Sequence, residues 1–245
     1  MAKIIDAVWE QRNLGMRVQE LEAERTDSPE ALREALERLD SPYCVVKLPE
    51  NMPAQSLIVQ EYGFRYAETM LTMEKRLRTE PELPGIWQRY APQIGVHTPD
   101  EAEIGDILMR VRSGAVFQTD RIALDPHFSP QIAGIRYANW ISDLLREGGC
   151  RVHIVTVKDQ LVAFGVLTSA GNGVQDDLLG GLLDQESARG MGFAALYATE
   201  QRVFASGDKT VIARVSTHNP AMLRLRSLFG YSIRECVSVF VRHAE

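Results

Sequence analysis

The segment L-L-D-Q-E-S-A-R-G-M-G-F-A-A-L-Y, residues 182–197, decides the fold of this chain. It leads from a predicted strand at about residues 175–184 into a predicted helix that ends near Ala205. Gly190 and Gly192 lie at this junction, and glycine lets a backbone approach a ligand closely because it has no Cβ atom. The first N–H groups of a helix lack partners within it and carry partial positive charge, so this turn suits phosphate oxygens. The alternative is an ordinary helix entry with two flexible glycines.

Outside this segment, hydrophobic periodicity and turn residues predict alternating helices and strands. The predicted helices are at about residues 28–40, 53–62, 98–113, 129–147 and 220–229, and the predicted strands at 42–49, 64–75, 151–157, 160–167, 209–216 and 231–242. Thr98-Pro99-Asp100-Glu101 has the pattern of a capping box at the start of one helix. This order of elements predicts an α/β (α+β) fold with a mixed, mostly antiparallel central sheet.

The bulk composition is that of an ordinary globular protein. Of the 245 residues, 45% are hydrophobic and 24% charged, and the formal net charge is −6. That charge argues against non-specific binding to nucleic acid. No apolar run is long enough to span a membrane, and the N-terminus lacks the apolar stretch of a signal peptide, so we expect a cytoplasmic protein. Cys44, Cys150 and Cys236 have no C-x-x-C spacing, so neither a disulfide framework nor a metal site is expected.

Two blocks of this sequence resemble the signatures of the GNAT superfamily of acyltransferases. Arg189, Gly192 and Ala194 match its R/Q-x-x-G-x-G/A motif. Residues 219–231 resemble its second block, N-x-x-A-x-x-L-Y-x-x-x-G-F, through the asparagine, the leucine, the glycine and a terminal aromatic residue. The resemblance implies a GNAT fold over the C-terminal half and acetyl-CoA, or another acyl-CoA, as co-substrate. The residues predicted to bind the coenzyme are Leu182, Leu183, Asp184, Arg189, Gly190, Met191, Gly192, Phe193, Ala194 and Asn219.

The segment 117–141 resembles a part of the dTDP-fucosamine acetyltransferase family. Its matching residues are Phe117, Arg121, Asp125, Pro126, Phe128, Tyr137 and Trp140. The resemblance implies acylation of the amine of a nucleotide-linked amino sugar, with Phe117 and Arg121 among the substrate residues. It also implies a partial GNAT-like domain that precedes a complete one.

A repeat within the sequence is consistent with a division of the chain into two domains. Residues 44–64 resemble residues 212–231 when one gap is allowed. Both segments are predicted to form a strand, a short helix, a glycine-aromatic pair and the start of a long strand. We therefore predict a truncated GNAT-like N-terminal domain at 1–77, a linker at 78–97 and a complete GNAT domain at 98–245. The oligomeric state, with a homodimer among the options, is left open.

The expected chemistry is direct transfer of the acyl group to a primary amine of a small molecule, without a covalent enzyme intermediate. The general acid proposed for the family is a tyrosine of the second block, and Arg226 occupies the matching position. Arginine does not give up its proton near neutral pH, so Arg226 is a candidate for stabilising negative charge, with a solvated helix arginine as the alternative. His218 is a candidate acid, base or substrate ligand, and Asp177 is a candidate for binding a protonated amine. For both residues, the alternative is a structural or surface role.

The arginine at position 226 also motivates an alternative from another class, a non-catalytic acyl-CoA-binding or regulatory module of the same fold. Such a module would retain the glycine turn without turnover. No nucleic acid, membrane or metal is expected as a partner in either case.

Overall fold

A computed structural model describes residues 2–184 and 188–244, and residues 185–187 of the segment quoted above lie outside the described part. The chain divides into two compact units. The first comprises residues 1–71, 216–218 and 235–245, and the second comprises residues 72–215 and 219–234. The boundaries predicted at residues 77 and 98 refer to continuous segments of the chain, and that division into domains stays a prediction.

The first unit is built mainly from the N-terminal part of the chain. Its elements are β1 (Lys3–Asp6), α1 (Val8–Leu14), β2 (Val18–Glu22), α2 (Pro29–Glu37), β3 (Tyr43–Pro49), α3 (Pro53–Glu61) and most of the last strand, β10 (Ser232–His243). The strand order is β1-β2-β3-β10, in which β2 and β3 are parallel and the other two pairs are antiparallel. Its core consists of buried apolar side chains such as Leu32, Val46 and Phe240.

The second unit contains the remaining elements. They are the end of β4 (Arg65–Arg76), a 3₁₀ helix (Gly85–Gln93), β5 (Ile94–His97), α4 (Glu101–Arg112), α5 (Pro130–Glu147), β6 (Arg151–Val157), β7 (Gln160–Gly171), β8 (Val174–Leu182), α6 (Gly192–Ala205), β9 (Thr210–Ser216) and α7 (Pro220–Leu228). The strand order is β4-β9-β8-β7-β6-β5. β8 and β9 are parallel, and the pairs from β8 to β5 are antiparallel. The predicted fold class is therefore confirmed.

Capping residues explain where the helices of both units begin and end. Asp100 accepts a hydrogen bond from the N–H of Glu103, whose side chain accepts one from the N–H of Asp100. The capping box of α4 thus begins two residues after Thr98, where the sequence pattern placed it. Ser28 caps α2, and Gly148 ends α5 with a φ of 67° that glycine adopts without steric cost.

The internal repeat is visible in the lengths of the elements. β3, α3 and β4 have 7, 9 and 12 residues, and so do β9, α7 and β10. Each element of the second copy begins 167 residues after its counterpart, because the starting residues pair as 43 with 210, 53 with 220 and 65 with 232. The two copies therefore align without the gap that the sequence comparison required. In this alignment Arg226 corresponds to Val59, which is fully buried.

The second unit has its own apolar core. Side chains of α4 and α5, such as Ile107, Val111 and Ile141, pack with Ile154 of β6 and Phe164 of β7. Within residues 2–184 and 188–244, no helix has both the length and the hydrophobicity needed to cross a membrane.

Candidate active site

The two parallel strands of the second unit separate shortly after they begin. Their pairing covers residues 174–176 of β8 and 210–212 of β9, although β8 continues to Leu182 and β9 to Ser216. The register between β7 and β8 shifts at the same place and leaves Leu178 as a bulge on β8. Crevices at the carboxyl ends of parallel strands are common ligand sites, and bulges are common beside active sites. The opening between β8 and β9 is therefore the candidate active site.

The glycine turn lies at the N-terminus of α6. Gly190 has a φ of 83°, a conformation that suits glycine, and the N-cap residue Met191 makes no side-chain capping bond. The N–H of Met191 donates to Ala188, and the N–H of Ala194 donates to Met191. In the part of the chain that the structure describes, the N–H groups of Gly192 and Phe193 have no backbone acceptor. Of the four N–H groups of residues 191–194, two are thus engaged within the turn, and two remain for a ligand.

The packing of α6 on α7 leaves little room for a side chain at Gly192. A Cβ atom at Gly192 would lie 3.3 Å from the Cδ2 atom of Leu225, whereas a Cβ atom at Gly190 would meet no atom within 4 Å. The prediction attributed the need for glycine at 192 to the phosphates of a ligand. The protein itself supplies a second reason, and a substitution at Gly192 is therefore a poor test of phosphate binding.

An aromatic cluster lies beside this turn. Trp87 of the 3₁₀ helix stacks on Phe193 with 5.1 Å between ring centroids and 4° between ring planes. Tyr90 also contacts Phe193, and Trp87 lies against Phe229, which follows α7. These rings belong to the second unit, and Trp87 and Tyr90 lie in the predicted linker at 78–97, for which no role in the site was expected. The only sequence signal was the presence of two aromatic residues in a segment without clear periodicity.

Arg226 of α7 forms a buried ion pair with Asp177 of β8. Its Nη2 donates to Oδ2 of Asp177, and the two side chains are 6% and 8% exposed. Burial lowers the pKa of Arg226, but Asp177, Tyr231 and Glu200 together raise it by more, so the net shift is upward from its ordinary value. The guanidinium is therefore charged at all ordinary pH values, and the solvated helix arginine considered above is wrong for this position.

A second buried pair lies next to the first. Nζ of Lys75 is 2.7 Å from Oε2 of Glu200, whose side chain is fully buried. Burial raises the pKa of Glu200, and Lys75 opposes that shift. Tyr231 contacts both cations, with its ring centroid 4.9 Å from the Arg226 guanidinium and 5.8 Å from Lys75. Burial also raises the pKa of Tyr231 well above its usual range, so the phenol stays protonated.

Two buried donors of this cluster, Nε and Nη1 of Arg226, have no hydrogen-bond partner among the described residues. Buried polar atoms of this kind are usually satisfied by ordered water or by a ligand. The donors of Arg226 thus fit an acceptor oxygen or sulfur, as the thioester of an acyl-CoA would supply.

The remaining predicted coenzyme residues are partly engaged by the protein. The N–H of Leu183 donates to Val162, and the carbonyl of Asp184 accepts from Ala188. Oδ1 of Asn219 accepts a hydrogen bond from the N–H of Met222 and so caps α7. Helix capping accounts for Asn219 without a ligand. Leu182, at the end of β8, lies on the stretch that has separated from β9.

The other predicted residues lie in varied surroundings. Nε2 of the exposed His218 is 2.8 Å from the carbonyl oxygen of Ala67. The ring of Phe117 packs against Tyr137 with 4.1 Å between centroids, and Arg121 is half-buried in the connection between α4 and α5. Because Asp177 is engaged by Arg226, a substrate amine would compete with that guanidinium. The roles of these residues toward a substrate stay predictions.

Comparison with known proteins shows the fold of this chain. No family model matches the sequence, and no curated protein is similar to it. A GCN5-related N-acetyltransferase from Sphaerobacter thermophilus is similar in structure, with a TM-score of 0.62, 11% identity, and coverage of 99% of this chain and 76% of that chain. A second, from Kribbella flavida, has a TM-score of 0.54, 16% identity and coverage of 94% and 82%.

A tandem GNAT protein from the clavulanic acid biosynthesis pathway is also similar, with a TM-score of 0.55, 12% identity, and coverage of 94% of this chain and 78% of that one. These similarities show that the chain has the fold of the GCN5-related N-acetyltransferases. The narrower resemblance to dTDP-fucosamine acetyltransferases has no support among them and stays a prediction.

Proposed function

We propose that this protein is an N-acyltransferase that moves an acetyl or other acyl group from coenzyme A to a primary amine. The observation that carries the proposal is the opening between β8 and β9 beside the N-terminus of α6, whose N-cap residue Met191 makes no side-chain capping bond. Strand separation offers unpaired backbone groups to an extended ligand arm, and the helix terminus offers N–H groups to phosphate. The fold and the turn at residues 189–194 support the same function.

Residues of the second unit would hold the coenzyme at its pyrophosphate and at its thioester. The N–H groups of Gly192 and Phe193 would bind the pyrophosphate, because they have no backbone acceptor in the described part of the chain. The coenzyme supplies an acyl group activated as a thioester. Arg226, held by Asp177, would place a permanent positive charge near that group and so stabilise negative charge on an oxygen or sulfur atom.

The protein's own contribution to direct transfer is positioning and charge. Arg226 does not donate a proton near neutral pH, and the pKa of Tyr231 is raised well above its usual range. Neither residue therefore replaces the proposed general acid of the family effectively. Fixing the two reactants beside each other supplies much of the rate enhancement in reactions of this type.

The proposed acceptor is a small-molecule amine, and a nucleotide-linked amino sugar is the first to test. Its motivation is the resemblance of residues 117–141 to the dTDP-fucosamine acetyltransferases. Phe117, Arg121 and Asp177 are the proposed substrate residues, and His218 is a proposed acid or base. A panel of amines with acetyl-CoA, in which free thiol is measured, tests the acceptor directly.

Substitution of Met191 tests the coenzyme site without damage to the fold. Met191→Asp places a negative charge beside the positive end of the helix dipole, so the charge should not destabilise the free protein. The same charge should repel the pyrophosphate and weaken acetyl-CoA binding at least about tenfold by calorimetry. Met191→Asn is the matched control, because it has the size of aspartate without the charge and should leave binding within about threefold. Equal affinity for the Asp and Asn variants would contradict the proposed phosphate site.

A non-catalytic coenzyme-binding module is the second candidate. The buried pair of Arg226 and Asp177 favours it, because the position of the family's proposed acid is occupied by a group that cannot donate a proton. The two functions differ in turnover. A protein that binds acetyl-CoA at the Met191 site and releases no thiol with any amine of the panel would favour the module.

A further inference from the structure

A cavity of about 390 Å³ lies in the second unit. This volume falls in the range typical of small-molecule sites, about 300–1,000 Å³. The start of α4, the end of α5, β6, β7 and α6 enclose it, with Thr98 and Pro99 among its lining residues. None of its lining residues belongs to the candidate active site described above.

The cavity has an apolar wall and a basic end. Ile104, Leu145 and Leu167 form the apolar wall. Arg202 and Arg151 form the basic end, and Arg202 has no carboxylate within 4.0 Å among the described residues. Nη2 of Arg202 donates to Oγ1 of the exposed Thr98, 3.2 Å away.

The charge of the basic end is only partly balanced by the protein. Arg151 is 4.0 Å from Asp208, and its side chain is 53% exposed. Nε of Arg202 is buried and has no hydrogen-bond partner in the described part of the chain. About one positive charge is therefore uncompensated here, which suits a ligand with a single negative charge.

The strand edge beside the cavity is also open. β5 ends at His97, opposite Ile154 of β6, so its pairing does not reach residues 151–153. Val152 lines the cavity on this stretch, and its backbone groups make no hydrogen bond to β5. An open edge of this kind offers N–H and C=O groups to a ligand.

His153 gives the cavity a buried reporter group. The ring is 2% exposed and packs over Gly165, where a Cβ atom would lie 2.4 Å from Cε1 of His153. Its Nε2 is 3.2 Å from Oγ1 of Thr199. Burial, together with the charges of Arg202 and Arg151, lowers the pKa of His153 to about 4.

We propose that this cavity binds a small carboxylic acid with a short apolar chain, with its carboxylate at the basic end and its chain against the apolar wall. A monocarboxylate matches the single uncompensated charge, and an alkyl chain removes apolar surface from water. The site is separate from the proposed coenzyme site and does not depend on acyl transfer.

Hexanoate serves as the probe, and NMR of the full-length chain measures its binding. We expect saturable shifts of the Val152 amide and of the His153 ring, together with a rise in the pKa of His153, because a bound anion offsets the two arginines. Hexan-1-ol, which lacks the charge, should bind at least tenfold more weakly. Absence of saturable shifts with hexanoate, or equal binding of hexan-1-ol, would overturn the proposal.

Three variants test the assignment of binding to this cavity. Arg202→Met retains the apolar stem and removes the charge, so hexanoate affinity should fall at least fivefold. Arg146→Met removes the same charge from the end of α5, where Arg146 is 69% exposed and pairs with Asp143, and should not change the affinity. Thr98 is exposed, and Thr98→Trp should narrow the opening of the cavity and block binding. This variant keeps the proposal testable if Arg202→Met does not fold. Equal losses in the Met variants, or full affinity in Thr98→Trp, would refute the assignment.

Discussion

Removal of one partner from the Arg226–Asp177 pair should destabilise the protein strongly. Both side chains are almost completely buried, at 6% and 8% exposure. Arg226→Met leaves the carboxylate of Asp177 in the interior without its cation, and breaking a buried pair in this way typically costs about 3–5 kcal/mol. Asp177→Asn leaves the guanidinium uncompensated, and we expect a loss of the same order.

The double variant distinguishes the ion pair from simple loss of packing. When both charges of this pair are absent, neither is left buried without its partner, so the double variant should be more stable than either single variant. Arg146→Met provides the control for an exposed pair, since its loss should be at most about 1 kcal/mol.

Urea unfolding measures these differences, followed by both fluorescence and circular dichroism. Two probes are needed because two compact units provide a route to stepwise unfolding. Additive losses in the double variant, or a loss below about 1 kcal/mol for Arg226→Met, would refute the view that the buried charges depend on each other.

Three further predictions follow. Arg226→Ala should lower turnover at least about tenfold with the best amine, a loss of roughly 1.4 kcal/mol of transition-state stabilisation. Unchanged turnover would exclude the charge-stabilising role. The double variant Asp177→Asn/Arg226→Tyr tests whether the tyrosine of the family can act as the acid once the carboxylate of Asp177 is removed. The pKa of His153 is lowered to about 4, so the stability it contributes is present above about pH 6.5 and is lost as the pH falls towards 4. The wild type should lose about 2 kcal/mol more than His153→Gln between pH 7.5 and pH 5, and equal losses in urea unfolding would contradict the buried neutral histidine. Calorimetry should give a binding stoichiometry of one acetyl-CoA per chain, because residues 1–77 contain no R-x-x-G-x-G turn. Two equivalent sites would contradict the assignment of the coenzyme to the second unit.

The sequence alone located most elements of the C-terminal half and the glycine turn. The observed bounds of α5, β6, α6 and α7 differ from the predicted ones by few residues, because apolar periodicity and capping residues act within a few positions of each helix or strand. The same local logic predicted the turn at residues 189–194, since a helix start after glycine is recognisable from neighbouring residues.

The sequence did not predict β1, α1, β2, the 3₁₀ helix or β5. β2 has the sequence V-Q-E-L-E, in which Gln19 and Glu20 are buried although their polar side chains suggest exposure. Glu20 is 2.6 Å from Lys47 of β3, and Gln19 accepts hydrogen bonds from the N–H groups of residues 40 and 41. Burial of these polar groups is favourable only because distant residues supply their partners, so a local pattern cannot reveal the strand.

Only the tertiary structure decided the character of the candidate site. The sequence identified Arg226 as unusual, but its burial depends on Asp177, which lies 49 residues away in the chain. Trp87 reaches Phe193 across an even longer separation, from a segment without periodicity. Backbone conformation is determined largely by near neighbours, whereas the burial of a charge or an aromatic ring depends on which distant residues the fold brings beside it.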